Sequence, residues 1–581
     1  MSVEGSFDDK DIFEKYILNR PWVKFYDEGT PENVEIPEIP LYQHLDDAYK
    51  IGPDHPALIF LGRKITYREL HEHSERFGRA LHDKFNIKKG DKIALYLPNC
   101  PQFAIAYYGG IKIGGVITPM NPLYSAREIA HQIEDSGAKI LVALDLFKDN
   151  VEKALKDVDI DAVVYTGIDD YMSSFKGWIY RTFMKKVKVE IDNRKFFSFK
   201  DLINSYPPDA PRPEINPKED LVALMYTGGT TGVPKGAMLT HYNLVANVHQ
   251  IDSLLFRGRK KVDIYVGILP WYHIYGQTTV LHSAIYSVAT IIIFPKLDLK
   301  ELLEAIQKYK ANVFHGVPTL FSLLINYKDI SKYDLRSIEA CISGAAPLPK
   351  AVAEKFEEIT GGRLREGYGL TETSPVTHVN PIYGRYKIGS IGLPIPNTLA
   401  AIADPEKPIF LPPGEVGELV ISGPQVMKGY YNMPEENEQV FFEKYGYRWL
   451  RTGDMAKMDE EGYFYIVERK KDLIKYKGYS VYPREIEEVL YKHEAVAEAA
   501  VIGIPDPKVG EIVKAFVVLK EKYRGKVTEE DIRKYLEENL AKYKVPKIIE
   551  FRDSLPKSTV GKILRRVLRE EELRKMGKSK P

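Results

Sequence analysis

A chain of 581 residues exceeds what one core usually organises, and at roughly 150 residues per domain it implies three or four folded units. Hydrophobic residues at 44% beside charged residues at 28% describe a soluble globular chain, with no apolar run near the roughly 20 residues that cross a bilayer. A net charge of +1 gives no general attraction to nucleic acid, and the acidic start Met1-Ser-Val-Glu-Gly-Ser-Phe-Asp-Asp lacks the basic flank and apolar core of an export signal, so the expected location is the cytoplasm.

From about Lys92 to Gly167 short apolar runs, among them Ile93-Ala-Leu-Tyr-Leu97 and Lys139-Ile-Leu-Val-Ala-Leu144, alternate with helical patterns. This predicts βαβ units around a largely parallel sheet. The alternation lapses between Asp169 and Leu202, where segment 171–188 mixes aromatic and basic residues. Two readings apply there: a patch resting on a membrane surface, or a surface insertion packed on its own domain, which is favoured. Alternation resumes near Leu221 and runs through Thr290-Ile-Ile-Ile-Phe294 and Ala340-Cys-Ile-Ser343, predicting a second α/β layer. The two cysteines, Cys100 and Cys341, have no nearby Cys or His to complete a zinc site and are expected to be buried thiols.

After Pro396 the pattern becomes β-rich, with Pro412-Pro-Gly-Glu-Val-Gly-Glu-Leu-Val-Ile-Ser-Gly423 marking a turn and a strand. Arg469-Lys-Lys-Asp472 is a charged junction between apolar stretches and reads as a linker. Beyond it lie strands at Ala499-Ala-Val-Ile-Gly-Ile504 and Ala515-Phe-Val-Val-Leu519, and a helix opened by Thr528 and Asp531. The expected class is α/β: a large N-terminal domain, 1–468, of two α/β layers plus a β-rich subdomain, then a small α+β domain, 473–581.

The chemistry is concentrated in Tyr226-Thr-Gly-Gly-Thr-Thr-Gly-Val-Pro-Lys-Gly236. Leu221–Tyr226 reads as a buried strand and Thr240 as the cap of a following helix, placing the loop between strand and helix. Gly228, Gly229 and Gly232 let backbone N–H groups converge without Cβ obstruction; Thr227, Thr230 and Thr231 add hydroxyls, and Lys235 adds charge. The loop suits a polyphosphate. It is not the Walker pattern, because Lys235 is followed by Gly236 where a Ser or Thr should hold magnesium.

This motif closely resembles the signature of the adenylate-forming superfamily, which includes acyl-CoA synthetases, peptide-synthetase adenylation domains and beetle luciferases. The resemblance covers nearly the whole chain. It is greatest to long-chain fatty acid CoA ligases, in Leu269-Pro-Trp-Tyr-His-Ile-Tyr275, Gly423-Pro-Gln-Val-Met427 and Met458-Asp-Glu-Glu-Gly462. It implies ATP, Mg²⁺ and CoA as cofactor and co-substrates, a fatty acid as substrate, and a mobile C-terminal domain turning about a hinge at Lys471 and Asp472. A ligase for another acid, a carrier-protein acceptor and a non-catalytic nucleotide or acyl sensor are the competing readings. Chain-length preference and oligomeric state are not legible, a dimer being compatible.

Carried over residue by residue, the resemblance assigns Glu372 and Thr227 to magnesium, with Thr371 near the α-phosphate. Tyr368 and Gly369 are assigned to adenine, with Gly344, Ala345 and Ala346 lining the base pocket. Asp454 is assigned to the ribose hydroxyls, and Arg469 to the same nucleotide. His273 and Tyr275 stand at the mouth of the acyl pocket, and His315 and Gly316 line it. Lys562 reaches both the acyl carboxylate and the α-phosphate, a task for a fixed positive charge. Lys475 and Gly478 face the CoA channel once the small domain has turned.

Overall fold

The computed structural model describes residues 8–180, 182, 187, 189–227, 234–255, 263–477, 479–558 and 563–576. The chain divides into two compact units, one of Val23–Thr398 with Ser422–Val440, the other of Met1–Trp22, Leu399–Ile421 and Phe441–Pro581. The first carries the strands and helices that the alternation predicts, and the second holds the region expected to be β-rich and the one expected to be α+β. Among the described residues no helix is long and apolar enough to cross a membrane.

The first of these units contains two sheets. One has eight strands in the order Gly429–Tyr430, Lys235–Thr240, Leu221–Thr227, Val116–Pro119, Lys92–Tyr96, Ala138–Leu144, Ala162–Thr166 and Phe196–Ser198. From Leu221–Thr227 onward every recorded pairing is parallel. Burial on both faces explains the unbroken apolar runs in these strands. The connecting helices obey their own local rules. Ala126–Ser136 opens with the reciprocal Ser125/Glu128 capping box and stops at Gly137 in the left-handed region. Ile129, Ile133, Leu141, Ala143 and Val163 share one buried cluster beneath it.

The other sheet has nine strands, with Arg363–Gly369, Ala340–Ser343, Val313–Gly316, Ile264–Gly267, Thr290–Ile293 and Pro56–Phe60 parallel in that order. Antiparallel strands close both its ends, Val376–Val379 with Leu393–Pro394 at one and Arg63–Thr66 at the other.

One sequence expectation is corrected. The phosphate loop does not lead directly into a helix: Lys235–Thr240 is itself a strand, antiparallel to Leu221–Thr227, with Thr227 opposite Lys235 and Leu224 opposite Met238. Residues 228–233 therefore join two paired strands. The short run Lys235-Gly-Ala-Met-Leu-Thr240 supplies cross-strand partners, which periodicity alone did not register. The helix expected after Thr240 does follow as His241–Leu255, and Asn243 N–H donates to Thr240 Oγ1 at 3.2 Å.

In the other unit, Leu399–Ala403, Gly417–Ser422, Tyr447–Met458, Phe441–Lys444 and Phe464–Arg469 form a five-stranded sheet. A second five-stranded sheet centres on the hairpin of Val496–Asp506 and Gly510–Leu519, with Ile548–Phe551 parallel to the latter strand. Helices Pro483–Lys492 and Glu529–Asn539 place Ile486, Leu490, Ile532 and Leu536 in its core. Thr528 and Asp531 form the expected capping box. Between the two sheets, Lys470–Asp472 is a single 3₁₀ turn. Cys100 and Cys341 are both buried, and burial pushes the Cys100 thiol up to about 12, which makes it inert.

Candidate active site

In the first unit three sequence-predicted residues are drawn together at the loop. Thr227 ends one strand and Lys235 begins the next, and the Thr227 hydroxyl donates to the Lys235 carbonyl at 3.4 Å. Glu372 sits in the turn Thr371–Thr373 that follows Arg363–Gly369. Its carbonyl accepts from Met427 N–H at 2.8 Å, and its Oε1 accepts from the Tyr430 hydroxyl at 2.6 Å. The Lys235 ammonium pairs with Glu436 and lies 5.2 Å from the centroid of the Tyr430 ring. Gly228, Gly229, Thr230, Thr231 and Gly232 lie outside the described residues. A hydroxyl and a carboxylate are hard oxygen donors, so Thr227 and Glu372 fit magnesium rather than a soft metal.

The Glu372 turn is held by a long-range amide bracket. Asn247 Nδ2 donates to the Val376 carbonyl at 2.8 Å, and its Oδ1 accepts from Val376 N–H at 3.0 Å. Tyr368 is half-buried, its ring edge-on to His378 with centroids 5.9 Å apart. Gly369 has no room for a side chain, since a Cβ there would come within 2.0 Å of the Pro375 carbonyl oxygen.

The acyl and adenine candidates also converge. The Tyr275 hydroxyl donates to the carbonyls of Ile342 at 2.9 Å and Gly316 at 3.2 Å, bridging neighbouring strands. At Gly344 a Cβ would stand 3.0 Å from the Tyr275 ring, so the glycine admits that ring. His315 pairs in register with Ile342, and Gly316 with Ser343. His315 is 1% exposed and both its ring nitrogens lack a hydrogen-bond partner among the described residues; burial depresses its pKa to about 4. Ser343 Oγ is likewise buried without a partner among them. Buried polar atoms left in this way mark a place for a ligand or water. His273 is half-buried and accepts from Tyr275 N–H at 3.2 Å, capping the short helix Ile274–Gly276. Ala345 follows in the left-handed region at φ 68°, and Ala346 continues that turn after Ala340–Ser343.

In the other unit Asp454 and Arg469 are cross-strand neighbours. Arg469 Nε lies 2.9 Å from Asp454 Oδ1, and Asp454 is 2% exposed. Gly453 takes the left-handed region at φ 72° within strand Tyr447–Met458, and Asp454 N–H donates to Thr452 Oγ1 at 3.1 Å. Lys471 is exposed and Asp472 half-buried in the 3₁₀ turn. Lys475 is exposed on strand Ile474–Tyr476, and its N–H donates to Glu511 Oε2 at 2.9 Å. Gly478 and Lys562 lie outside the described residues, as do Thr559, Val560 and Gly561.

Sequence reasoning missed Tyr430, Glu436 and Arg565. Tyr430 and Glu436 reach Lys235 only because Gly429–Tyr430 pairs with Lys235–Thr240 across a large stretch of chain. No local pattern carries that. A further group, Asp46, His71 and Glu75, places metal-type ligands close together. Lys112 Nζ lies 2.6 Å from Glu75 and also contacts Asp46, and Arg212 contacts Glu75, so this cluster is already charge-compensated by cations.

Thr227, Lys235 and Glu372 thus gather in one unit, and Asp454 pairs with Arg469 in the other. The chain belongs to the AMP-binding enzyme family, whose profile matches residues 45–431, with the AMP-binding enzyme C-terminal domain at 485–562. It is 42% identical over 557 residues to a long-chain-fatty-acid–CoA ligase of Bacillus subtilis, covering 95% of this chain and 98% of that one. It is 39% identical over 568 residues to a long-chain-fatty-acid–CoA ligase of Escherichia coli, covering 95% and 98%. Its fold is similar to the crystal structure of ATP-bound MatB from Rhodopseudomonas palustris, with a TM-score of 0.79, 30% identity, and 92% and 99% of the two chains covered.

Proposed function

We propose that the chain is an ATP-dependent, AMP-forming acid–thiol ligase acting on long-chain or medium-chain fatty acids. The observation that carries this reading is the meeting of Thr227, Lys235 and Glu372 at the paired strands flanking the loop. Its support is the near full-length similarity to relatives bearing the long-chain ligase name.

In the first half-reaction a carboxylate oxygen attacks the α-phosphorus of MgATP, the bond to the bridging oxygen breaks, and acyl-AMP and pyrophosphate result. The carboxylate is ionised at neutral pH, so no general base is needed. The obstacle is the meeting of two anions. Lys235 and the N–H groups of 228–232 offset charge on the polyphosphate, and Lys562 bridges the carboxylate and the α-phosphate. Thr227 and Glu372 receive the magnesium that accompanies ATP, with Thr371 beside the α-phosphate. Tyr368, Gly369, Gly344, Ala345 and Ala346 hold adenine, Asp454 and Arg469 hold the ribose, and His273, Tyr275, His315 and Gly316 hold the acid.

In the second half-reaction the CoA sulfur attacks the acyl carbonyl, AMP leaves and the thiol proton passes to solvent. Residues 473–581 turn about Lys471 and Asp472 between the two, withdrawing Lys562 and bringing Lys475 and Gly478 to the CoA channel. Lys562→Ala is expected to abolish acyl-AMP formation while sparing CoA transfer to preformed acyl-AMP; Gly478→Leu is expected to do the reverse. Equal loss in both half-reactions for both variants would refute this division of labour.

The enzyme works in the cytoplasm, where segment 171–188 is the candidate for contact with the inner membrane face; Trp178 within it is 56% exposed. Equal recovery in the supernatant with and without anionic liposomes would remove that contact.

A further inference from the structure

Lys235 begins a strand of the eight-stranded sheet and Glu372 lies in the turn after a strand of the nine-stranded one, yet one side chain touches both. Tyr430 directs its hydroxyl to Glu372 Oε1 at 2.6 Å and its ring lies 5.2 Å from Lys235 Nζ. It is 8% exposed. Its backbone is fixed from several sides: Gly429 and Tyr430 pair with Met238 and Ala237. Lys428 N–H donates to Met238 O at 2.9 Å, and Tyr431 N–H to Gly236 O at 2.8 Å. Asn437 then closes on it, accepting from Tyr430 N–H at 2.7 Å and donating to Tyr430 O at 2.9 Å. Gly429 makes room for this clamp, since a Cβ there would stand 2.9 Å from Asn437 Oδ1.

We propose that Tyr430 is a positioning residue of the MgATP site: its hydroxyl aims the Glu372 carboxylate at the metal while its ring keeps the Lys235 ammonium beside it. The inference rests on the roles given above to Glu372 and Lys235. A carboxylate half-exposed on a short turn otherwise samples several rotamers, and each must be abandoned when the metal binds. A directional hydrogen bond from a rigid neighbour removes that freedom beforehand. Only one carboxylate oxygen is engaged by Tyr430, which is compatible with the other meeting a cation.

The test is pyrophosphate exchange by the full chain with a long-chain fatty acid, at fixed total ATP and varied Mg²⁺. Tyr430→Phe keeps the ring and removes only the hydroxyl. It should raise the Mg²⁺ concentration for half-maximal exchange by roughly tenfold to a hundredfold, the usual cost of losing a partner of a metal ligand, with a much smaller fall in the rate at saturating Mg²⁺. Half-saturation does not depend on how much of the sample is folded, so a purely structural loss would leave it in place. An unchanged Mg²⁺ requirement in Tyr430→Phe overturns the proposal. Glu372→Gln in the same assay separates the two readings. If it too leaves the requirement unchanged, the metal role of Glu372 fails; if it raises the requirement while Tyr430→Phe does not, only the positioning role fails.

Discussion

Arg565 Nη1 lies 2.7 Å from Glu468 Oε1, joining the start of the last helix to the end of the strand before the Lys470–Asp472 turn. The same guanidinium reaches Glu487 at 3.0 Å from Nε and Asp472 at 3.3 Å from Nη1. Burial works against its charge, yet Glu487 and Glu468 outweigh that and push its pKa further up. Lys557 and Ile563 pair with each other on either side of the stretch containing Lys562, and Arg565 follows two residues later.

Removing one partner of such a buried cluster leaves uncompensated charge, which costs about 3 to 5 kcal/mol. Arg565→Ala should therefore lower the urea midpoint, and Arg565→Lys should recover only part of it, because an ammonium cannot fork to several carboxylates. Acyl-AMP formation should fall more than CoA transfer from preformed acyl-AMP, since Arg565 follows closely in sequence the Lys562 assigned to the first half-reaction. Parallel loss of both half-reactions would contradict that link.

Asp454 and Arg469 yield a test of nucleotide recognition. If Asp454 accepts from the ribose hydroxyls, ATP should be preferred over 3′-deoxy-ATP by roughly tenfold, the worth of a hydrogen bond to a charged group. In Asp454→Asn that preference should shrink. Steady-state kinetics with both nucleotides decides the matter; an undiminished preference would place the ribose elsewhere.

If Lys235 receives the polyphosphate, Glu436 should compete with ATP for it. Before the polyphosphate binds, the Lys235 ammonium is paired with this carboxylate, and the pair must open. Glu436→Gln should accordingly lower the KM for ATP by a few-fold, roughly the worth of a partly exposed ion pair, and slow pyrophosphate release. A raised KM would show that Glu436 supports Lys235 rather than opposing its ligand.

The parallel sheets, the β-rich region and the last α+β region were legible because each depends on local periodicity and turn residues. Thr227 and Lys235 stood out by the Gly, Thr and Lys density of their loop, whereas Glu372, Asp454 and Arg469 were singled out only through the family resemblance. The strand Lys235–Thr240 was not, since its identity comes from pairing with Leu221–Thr227. Tyr430, Glu436 and Arg565 were hidden for a related reason: each acts on a residue brought near by tertiary pairing, and an isolated Tyr, Glu or Arg in a polar stretch has no pattern that announces it.

Buried histidines should contribute to the response to acid. Burial holds His241, His282 and His44 near about 3 and His249 near about 4, all from a reference of 6.5. His241 Nδ1 accepts from Leu41 N–H at 3.0 Å, which requires that nitrogen to be unprotonated. With folded pKa values depressed, the unfolded chain binds more protons, so this contribution is complete above pH 6.5 and is lost as pH falls toward about 4 to 3. Urea unfolding should show stability declining between pH 6.5 and 5, before most carboxylates titrate. His241→Asn should reduce that slope by at most about 1.4 kcal/mol per pH unit, reached near the acidic end of that window. A flat profile would mean these imidazoles are protonated in the folded protein.

The proposed enzyme activates an acid through its adenylate and passes it to CoA. Incubating the purified full chain with ATP, Mg²⁺, CoA and fatty acids of increasing length, and quantifying every product, tests it most directly. Acyl-CoA, AMP and pyrophosphate in equal amounts, with a maximum among the medium to long chains, is the expected result. Production of ADP and phosphate, or no acyl-CoA with any fatty acid, would contradict it.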